Sequence, residues 1–317
     1  MIFDDILDKI KQSKKIAIFT HIKADGDCLG AGMALYYSIK NLNKCVDIFN
    51  AEHVHTNYNF LTKNKIKSKL NGEYDLFIAV DSATPKRLGD FGVDFSKHKN
   101  TINIDHHISN INYAMINFVN AKASSASEII YEYLYSTKQT IDDNIAEALL
   151  SGISADTGCF KYSSTTSRTH EIASQLLKYN VDTDKIYYYL FNIQSKKEVS
   201  ITSFMLQKLK YFCNDKVVIT GITNKELETF NATEDDIPRI VESLSGIQGV
   251  EVAITYKQDT DNGFNVSFRS AGKVDVNIIA EGFGGGGHVM ASGCKIYAKE
   301  QTVVKRLVER AGKFIIE

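Results

Sequence analysis

Short apolar runs separated by longer amphipathic stretches set the pattern of the first half of the chain. Residues 14–20 (KKIAIFT), 44–50 (KCVDIFN), 74–80 (YDLFIAV) and 100–104 (NTINI) are rich in apolar side chains on consecutive positions. Continuous apolar runs of this length predict strands buried on both faces. Between the first two, residues 29–43 (LGAGMALYYSIKNLN) read as a helix, and the N-terminal MIFDDILDKIKQSKK reads as a charged amphipathic helix. Apolar strands alternating with helices predict an α/β fold with a parallel sheet covered by helices. More helices are expected over 125–137, where Ser125 and Glu128 have capping-box spacing, over 142–158 and over 167–180. Residues 182–212 contain neither Gly nor Pro and read as a nearly continuous helix.

After about residue 215 the texture changes. KVVITGIT, VEVAITYKQ, GFNVSFRS and CKIYAKE are β-like, with a helix expected near EDDIPRIVESLSG and another at the C-terminus. The expected organisation is a larger domain over 1–185, a helical linker over 186–214 and a smaller α/β domain over 215–317. No internal repeat or low-complexity segment interrupts it.

Bulk composition narrows the chemistry. The 317 residues exceed what one core usually needs and suit two domains. Lys and Arg number 37 against 38 Asp and Glu, a formal net charge of -1, so no broad basic field exists to hold long nucleic acid. A short anionic ligand held by a few local groups is compatible with that balance. Five cysteines without framework spacing point to a reducing cytoplasm. The charged N-terminus is unlike a secretion signal, and no apolar run approaches the roughly 20 residues of a membrane span.

The strand ends carry the candidate chemistry. KKIAIFT is followed by His21, Asp25 and Asp27; YDLFIAV by Asp81; NTINI by Asp105, His106 and His107. Parallel strands bring their C-terminal ends to one edge, where open α/β sheets bind ligands. Asp156, in SGISADTG, is a fourth contributor. Carboxylates and imidazoles without thiolates suit Mn²⁺, Mg²⁺, Fe or Zn²⁺ in a hydrolytic site. The set His21, Asp25, Asp27, Asp81, His106 and Asp156 is too large for one catalytic ion and suits two, roughly 3.5–4 Å apart and sharing a carboxylate. Asp25 and Asp27 flank Gly26, so a tight turn could aim one carboxylate at each ion, and Asp81 is the natural bridge. His107 is then free to face substrate as hydrogen-bond donor or general acid, with Asp105 orienting an imidazole from behind.

The second domain offers EGFGGGGHVMASGC (281–294), four glycines before His288. Glycines admit close backbone approach to a ligand, and a helix starting at His288 would present free N–H groups to an anion. Arg269, ending the strand GFNVSFR, adds a bidentate phosphate contact. Elsewhere His53 and His55 fit a surface loop, His98 and His170 are expected in solvent, Cys28 packs at a helix start, and the KYSSTTSR segment caps a helix, with Lys161 or Arg168 in reach of a phosphate.

The motifs HIKADGDCLG, VDSAT, IDHH and SGISADTG, followed by GGGGHVMASG, make the chain resemble the DHH phosphoesterase family with its DHH-associated domain, over almost its whole length. The resemblance implies a two-domain metal-dependent phosphoesterase, usually with manganese, with its active site in the cleft between domains. It implies metal ligands at His21, Asp25, Asp27, Asp81, His106 and Asp156, and substrate contacts at His107, Arg269, Gly285, Gly286, Gly287 and His288. The first motif often has proline where Ala24 stands, which removes no ligand. The likeness is greatest to stand-alone members that degrade very short oligoribonucleotides and dephosphorylate 3'-phosphoadenosine 5'-phosphate. Cyclic di-AMP or linear dinucleotide phosphodiesterases are the alternative within the family, and a non-catalytic nucleotide sensor is the alternative outside enzymology. The resemblance leaves a homodimer open.

Overall fold

The computed structural model describes residues 2–238 and 240–315. The chain divides into two compact units, Met1–Ile193 and Gln194–Glu317.

The first unit runs α1 (Ile2–Gln12), β1 (Lys15–Phe19), α2 (Gly26–Asn41), β2 (Cys45–Phe49), α3 (Asn59–Thr62), β3 (Ile66–Lys67), β4 (Leu76–Val80), α4 (Phe91–Lys97), β5 (Thr101–Asp105), β6 (Ile116–Val119), α5 (Ala126–Ser136), α6 (Asp143–Asp156), α7 (Ser167–Leu176) and α8 (Thr183–Tyr187). Its six strands form one sheet in the order β3-β2-β1-β4-β5-β6, every pair parallel. The consecutive apolar positions are explained by the two faces. Ile16 and Ile18 of β1 pair with Leu76 and Ile78 of β4 and join the core under the helices. Ala17, Phe19, Phe77 and Ala79 point the other way, into a second core with Phe49, Phe91 and Phe95. A strand with both faces covered has no position to spare for water.

The helices follow their apolar stripes. Ile6 and Ile10 bury one side of α1, and Thr169, Ile172, Ala173 and Leu176 one side of α7, at i, i+3, i+4 and i+7. Ser125 caps α5 by accepting from the Glu128 N–H, but Glu128 does not complete a capping box. Its buried carboxylate accepts from Ser124 and from Thr169 of α7 instead.

The second unit runs α9 (Lys196–Gln207), β7 (Lys210–Phe212), β8 (Val217–Ile222), α10 (Asn224–Thr229), α11 (Val241–Ser245), β9 (Val252–Thr260), β10 (Gly263–Ser270), α12 (Val276–Glu281), β11 (Gly286–His288), β12 (Ala291–Tyr297) and α13 (Glu300–Gly312). Its sheet, β11-β12-β10-β9-β8-β7, is antiparallel except for the β8–β9 pair. Both units are therefore α/β.

The long helix expected over 182–212 is absent. α8 gives way to a π-helical turn at Tyr188–Asn192 and an extended Ile193, and a new helix starts at Lys196. Ser195 accepts from the Glu198 N–H and Glu198 accepts from the Ser195 N–H, so a complete capping box makes the break without Gly or Pro. The last residues of the expected helix are the strand β7. Among the described residues no helix is long and apolar enough to cross a membrane.

Candidate functional site

The strand order reverses direction between β1 and β4, and the polar cluster stands at the carboxyl ends of β1, β4 and β5, the place where open α/β sheets leave a crevice. Thr20 and His21 follow β1. Asn50, at the end of β2, donates to Thr20 Oγ1 at 2.9 Å and to the His21 carbonyl at 2.7 Å, fixing the path of that segment. Asp81 follows β4 in the left-handed region, φ +53°, a strained setting for aspartate that its surroundings hold in place. Asp105 closes β5, and His106 and His107 come next.

Asp81 is the hub. Its Oδ2 lies 3.4 Å from His21 Nε2, and its Oδ1 lies 3.4 Å from His106 Nε2 and 3.5 Å from His107 Nδ1. On one side, Asp25 Oδ2 stands 3.7 Å from His21 Nε2. On the other, His106 Nε2 is 3.3 Å from Asp156 Oδ2 and 4.0 Å from Asp27 Oδ2. All six residues expected to ligate metal thus form one cluster, two flanking groups with Asp81 between them. Asp81 Oδ1 is buried and has no hydrogen-bond partner, which for a carboxylate oxygen is costly unless something else takes its charge.

Helix placement delivers the other two carboxylates. Asp25 caps α2, accepting from the Cys28 N–H at 3.1 Å. Asp27, in the first turn, is fully buried at the N-terminus of α5, where the Ala126 and Ser127 N–H groups donate to its two oxygens at 2.6 and 2.9 Å. α6 reaches the same place because it touches α2 backbone to backbone. A Cβ on Gly30 would lie 2.6 Å from the Ala148 carbonyl, and one on Gly152 would lie 1.9 Å from Ser127 Oγ and 2.9 Å from Asp27 Oδ1. Only glycine fits at either position, and Asp156 at the end of α6 is carried to His106.

His107 is held differently. Its Nδ1 is 2.7 Å from Asp105 Oδ1. The wholly buried Asp105 also accepts from the His106 N–H at 2.9 Å and from Asn110 Nδ2 at 2.5 Å, and Asn110 reaches Asn103. His107 Nε2 is left as the ring's uncommitted nitrogen.

The charges are crowded. Burial, then the neighbouring Asp81 charge, pushes Asp27 up to about 7; burial, then Asp27, pushes Asp156 up to about 8. Burial opposes a charged His106, but its close approach to Asp81 and the charges of Asp27, Asp81 and Asp156 prevail and push it up to about 10. Burial also opposes the Asp81 anion, yet the His106 and His21 imidazoles, each 3.4 Å away, hold it well below the usual carboxylate range. The hydrogen bond to Asp105 raises His107. Four carboxylates drawn together with an unpartnered oxygen at their centre, and imidazole nitrogens facing inward, form a donor set that fits divalent cations. Two three-residue sets, Asp81–His106–His107 and Asp27–His106–Asp156, have their donor atoms within 4.8 Å of one another. Cys28 forms such a set with His21 and Asp81, but its thiol accepts from the His21 N–H at 3.2 Å and lies 3.7 Å from the Val80 carbonyl, so it packs where the helix begins.

In the second unit, β10–β12 pairing sets Arg269 opposite Ala291, and β11–β12 pairing sets Ala291 opposite His288. Arg269 and His288 therefore share one face of the sheet, two strands apart. His288 ends a strand and does not start a helix, so the helix N-terminus expected there is not formed. The hairpin explains part of the glycine run. Cβ atoms on Gly285 and Gly287 would lie 2.2 and 2.6 Å from the carbonyls of Gly293 and Ala291, whereas one on Gly286 would make only an ordinary contact with Asn277 Oδ1 at 3.8 Å, and Gly284 has open space but a positive φ of +74°. Arg269 Nη2 lies 3.3 Å from Glu242 of α11.

Other expectations change. His98 is not in solvent; it stacks on Phe77 at 4.0 Å and bonds the Asn100 and Tyr74 carbonyls. Arg168 is held by Glu132 and Glu171. The sequence reading passed over Asn50, Asn103, Asn110 and Arg87, whose Nη2 is 3.0 Å from His21 Nδ1. Asn50 directly follows an apolar strand, as His21 and Asp81 do, and that position was the available signal.

Residues 15–153 match the DHH family N-terminal domain, and residues 214–317 match the DHHA1 domain. The chain is 32% identical over 296 residues to a Streptococcus mutans protein named "Probable bifunctional oligoribonuclease and PAP phosphatase NrnA", covering 93% of this chain and 94% of that one. It is 26% identical over 300 residues to the bifunctional oligoribonuclease and PAP phosphatase NrnA of Bacillus subtilis, covering 94% of both. Among solved structures, an exopolyphosphatase-related protein from Bacteroides fragilis superposes with a TM-score of 0.90 at 24% identity, over 99% of this chain and 96% of that one, a likeness of fold.

Proposed function

This chain belongs to the DHH family, and on that premise we propose that it is a cytoplasmic phosphoesterase hydrolysing short oligoribonucleotides and 3'-phosphoadenosine 5'-phosphate with two divalent cations, manganese in preference. The observation that carries this reading is Asp81, one oxygen facing His21 and the other, unpartnered, facing His106. His21, Asp25 and Asp81 would hold one cation, and Asp81, Asp27, His106 and Asp156 the other. Bound there, the cations supply positive charge to the phosphate and lower the pKa of a water.

The chain's own residues do the rest. Asp105 fixes His107 through Nδ1, so Nε2 carries or releases a proton on the substrate side. In hydrolysis the water oxygen bonds to phosphorus as the P–O bond to the leaving group breaks, and His107 Nε2 gives the leaving oxygen its proton. Arg269 and His288 grip phosphate or the terminal nucleotide. The relatives named above are oligoribonucleases and PAP phosphatases, which supports the substrate class. The near-zero net charge supports a preference for short substrates, because affinity for long strands rests on many phosphate contacts.

The test is turnover by purified protein on dinucleotides, a length series, cyclic di-AMP and 3'-phosphoadenosine 5'-phosphate, with and without chelator. Hydrolysis should stop on chelation and return with manganese. Dinucleotides to roughly pentanucleotides should be cut faster than a 20-mer, with a shallow salt slope. Undiminished turnover by metal-free protein, or faster cutting of the 20-mer with a steep salt slope, refutes the proposal.

A further inference from the structure

We propose that Arg87 is a phosphate-binding residue of this centre, its guanidinium reserved for a non-bridging oxygen of the substrate's phosphoryl group on the His21 side. The inference rests on the function proposed above and adds a residue to it. Arg87 lies in a 3-10 turn, Pro85–Leu88, a few residues after Asp81. Its backbone is pinned: its carbonyl accepts from the Ile22 N–H at 2.7 Å, and the next residue, Leu88, is wholly buried. The side chain cannot wander far from His21, whose Nδ1 lies 3.0 Å from Arg87 Nη2.

That contact does not satisfy the guanidinium. His21 Nδ1 is also 2.8 Å from the Ile22 carbonyl. A ring nitrogen either donates to a carbonyl or accepts from an arginine, and it cannot do both. His21 Nε2 faces Asp81 and Asp25. When Nε2 gives its lone pair to a cation, the proton sits on Nδ1 and goes to Ile22, as metal-bound histidines usually arrange it. Arg87 then has no acceptor on that ring.

The other arginines among the described residues are engaged. Arg168 pairs with Glu132 and Glu171, and Arg269 with Glu242. Arg306 lies over the Phe283 ring, and Arg310 donates to the Ile278 carbonyl. Among the described residues Arg87 has no carboxylate partner, and it is exposed. An exposed planar cation next to a ligand of a cation-holding centre suits an anionic oxygen presented in that centre, and guanidinium matches phosphate geometry where ammonium does not.

The experiment compares wild type, Arg87→Gln, Arg87→Lys, Arg87→Ala and Lys86→Gln on a dinucleotide, with metal content and thermal midpoint measured for each. Arg87→Gln should lose about 10- to 100-fold in kcat/KM with metal content and midpoint unchanged. Arg87→Lys should recover only part of the loss, and added methylguanidine should raise turnover of Arg87→Ala. Wild-type kcat/KM in Arg87→Gln overturns the inference. So does loss of metal in that variant, which would place Arg87 behind His21 as support, or an equal loss in Lys86→Gln, which would make the effect a diffuse field. A wild-type protein inactive on every nucleotide refutes the proposed function instead, so the two failures are distinguishable.

Discussion

The two units place polar groups by opposite means. In the first, nearly every candidate side chain is buried or half-buried and held by a named partner: Asp27 by two helix N–H groups, His107 by Asp105, Asp105 by Asn110, His21 by the Ile22 carbonyl. In the second, Gly286–His288 is an exposed edge strand, and Arg269 is tied to a surface glutamate. A centre that concentrates charge must be built before the ligand arrives, since its carboxylates repel one another and only a fixed scaffold keeps them together. The grip on a nucleotide end proposed for Arg269 and His288 can be looser, since surface ion pairs cost little to exchange.

The largest expected effect tests the rigid side. Asp81→Asn keeps the shape and removes the shared charge, so turnover should fall on the order of 10³-fold or more, with folding checked by circular dichroism. Retention of a tenth of wild-type rate would show that Asp81 is no bridge. Next, Gly152→Ala forces a methyl group against Ser127 and Asp27 and should destabilise the protein by about 1–3 kcal/mol in denaturant melts and reduce metal content. Gly286→Ala, where the methyl group makes only an ordinary contact with Asn277 Oδ1 at 3.8 Å, should change stability by less than about 0.5 kcal/mol. Equal costs for the two glycines would erase the contrast between the units.

Arg269→Ala should cost about 10- to 100-fold in kcat/KM on nucleotides, the worth of one charge-assisted contact. Its metal content should match wild type, and a loss of metal would move the residue to the other role.

The smallest effect is a pH slope. His106 at about 10 holds its proton beyond its unfolded value, so the stability it contributes is complete below about 6.5 and is lost as pH rises toward 10. Asp27 at about 7 and Asp156 at about 8 also bind protons in the folded state that the unfolded chain has released, so they too lower stability as pH rises from about 4 to 8. The signs agree, and metal-free protein should melt at lower temperature at pH 9 than at pH 6. Manganese should reverse the trend, because the cations replace those protons. A rising Tm in metal-free protein would contradict the crowding described here.

Much of this was legible in the chain because strand ends are where a parallel sheet exposes its side chains. His21, Asp81 and His106 each follow an apolar run, and the run itself marks the edge. What was hidden depended on tertiary partners. Glu128 shows capping-box spacing, but a buried threonine from α7 claimed its carboxylate. Ser195 and Glu198 show the same spacing and do form the box, inside a stretch where the lack of Gly and Pro suggested continuity. Asn103 and Asn110 meet Asp105 only once β5 and the following turn are folded. Gly285 and Gly287 look like ligand-binding glycines in sequence; the hairpin's own backbone requires them.

The contact of Gly30 with α6 has a consequence for how the centre tolerates change. Two helices touching main chain to main chain act as a hard stop, as calliper jaws do when closed on a gauge block. Their separation is set by bond lengths and carbonyl radii, which temperature and neighbouring substitutions scarcely alter. Leu and Ile side chains elsewhere in the core can take up the strain of an exchange by changing rotamer, a freedom the main-chain contact at Gly30 lacks. The spacing of the carboxylates is thus insulated from drift in most of the protein and exposed to it at two glycines.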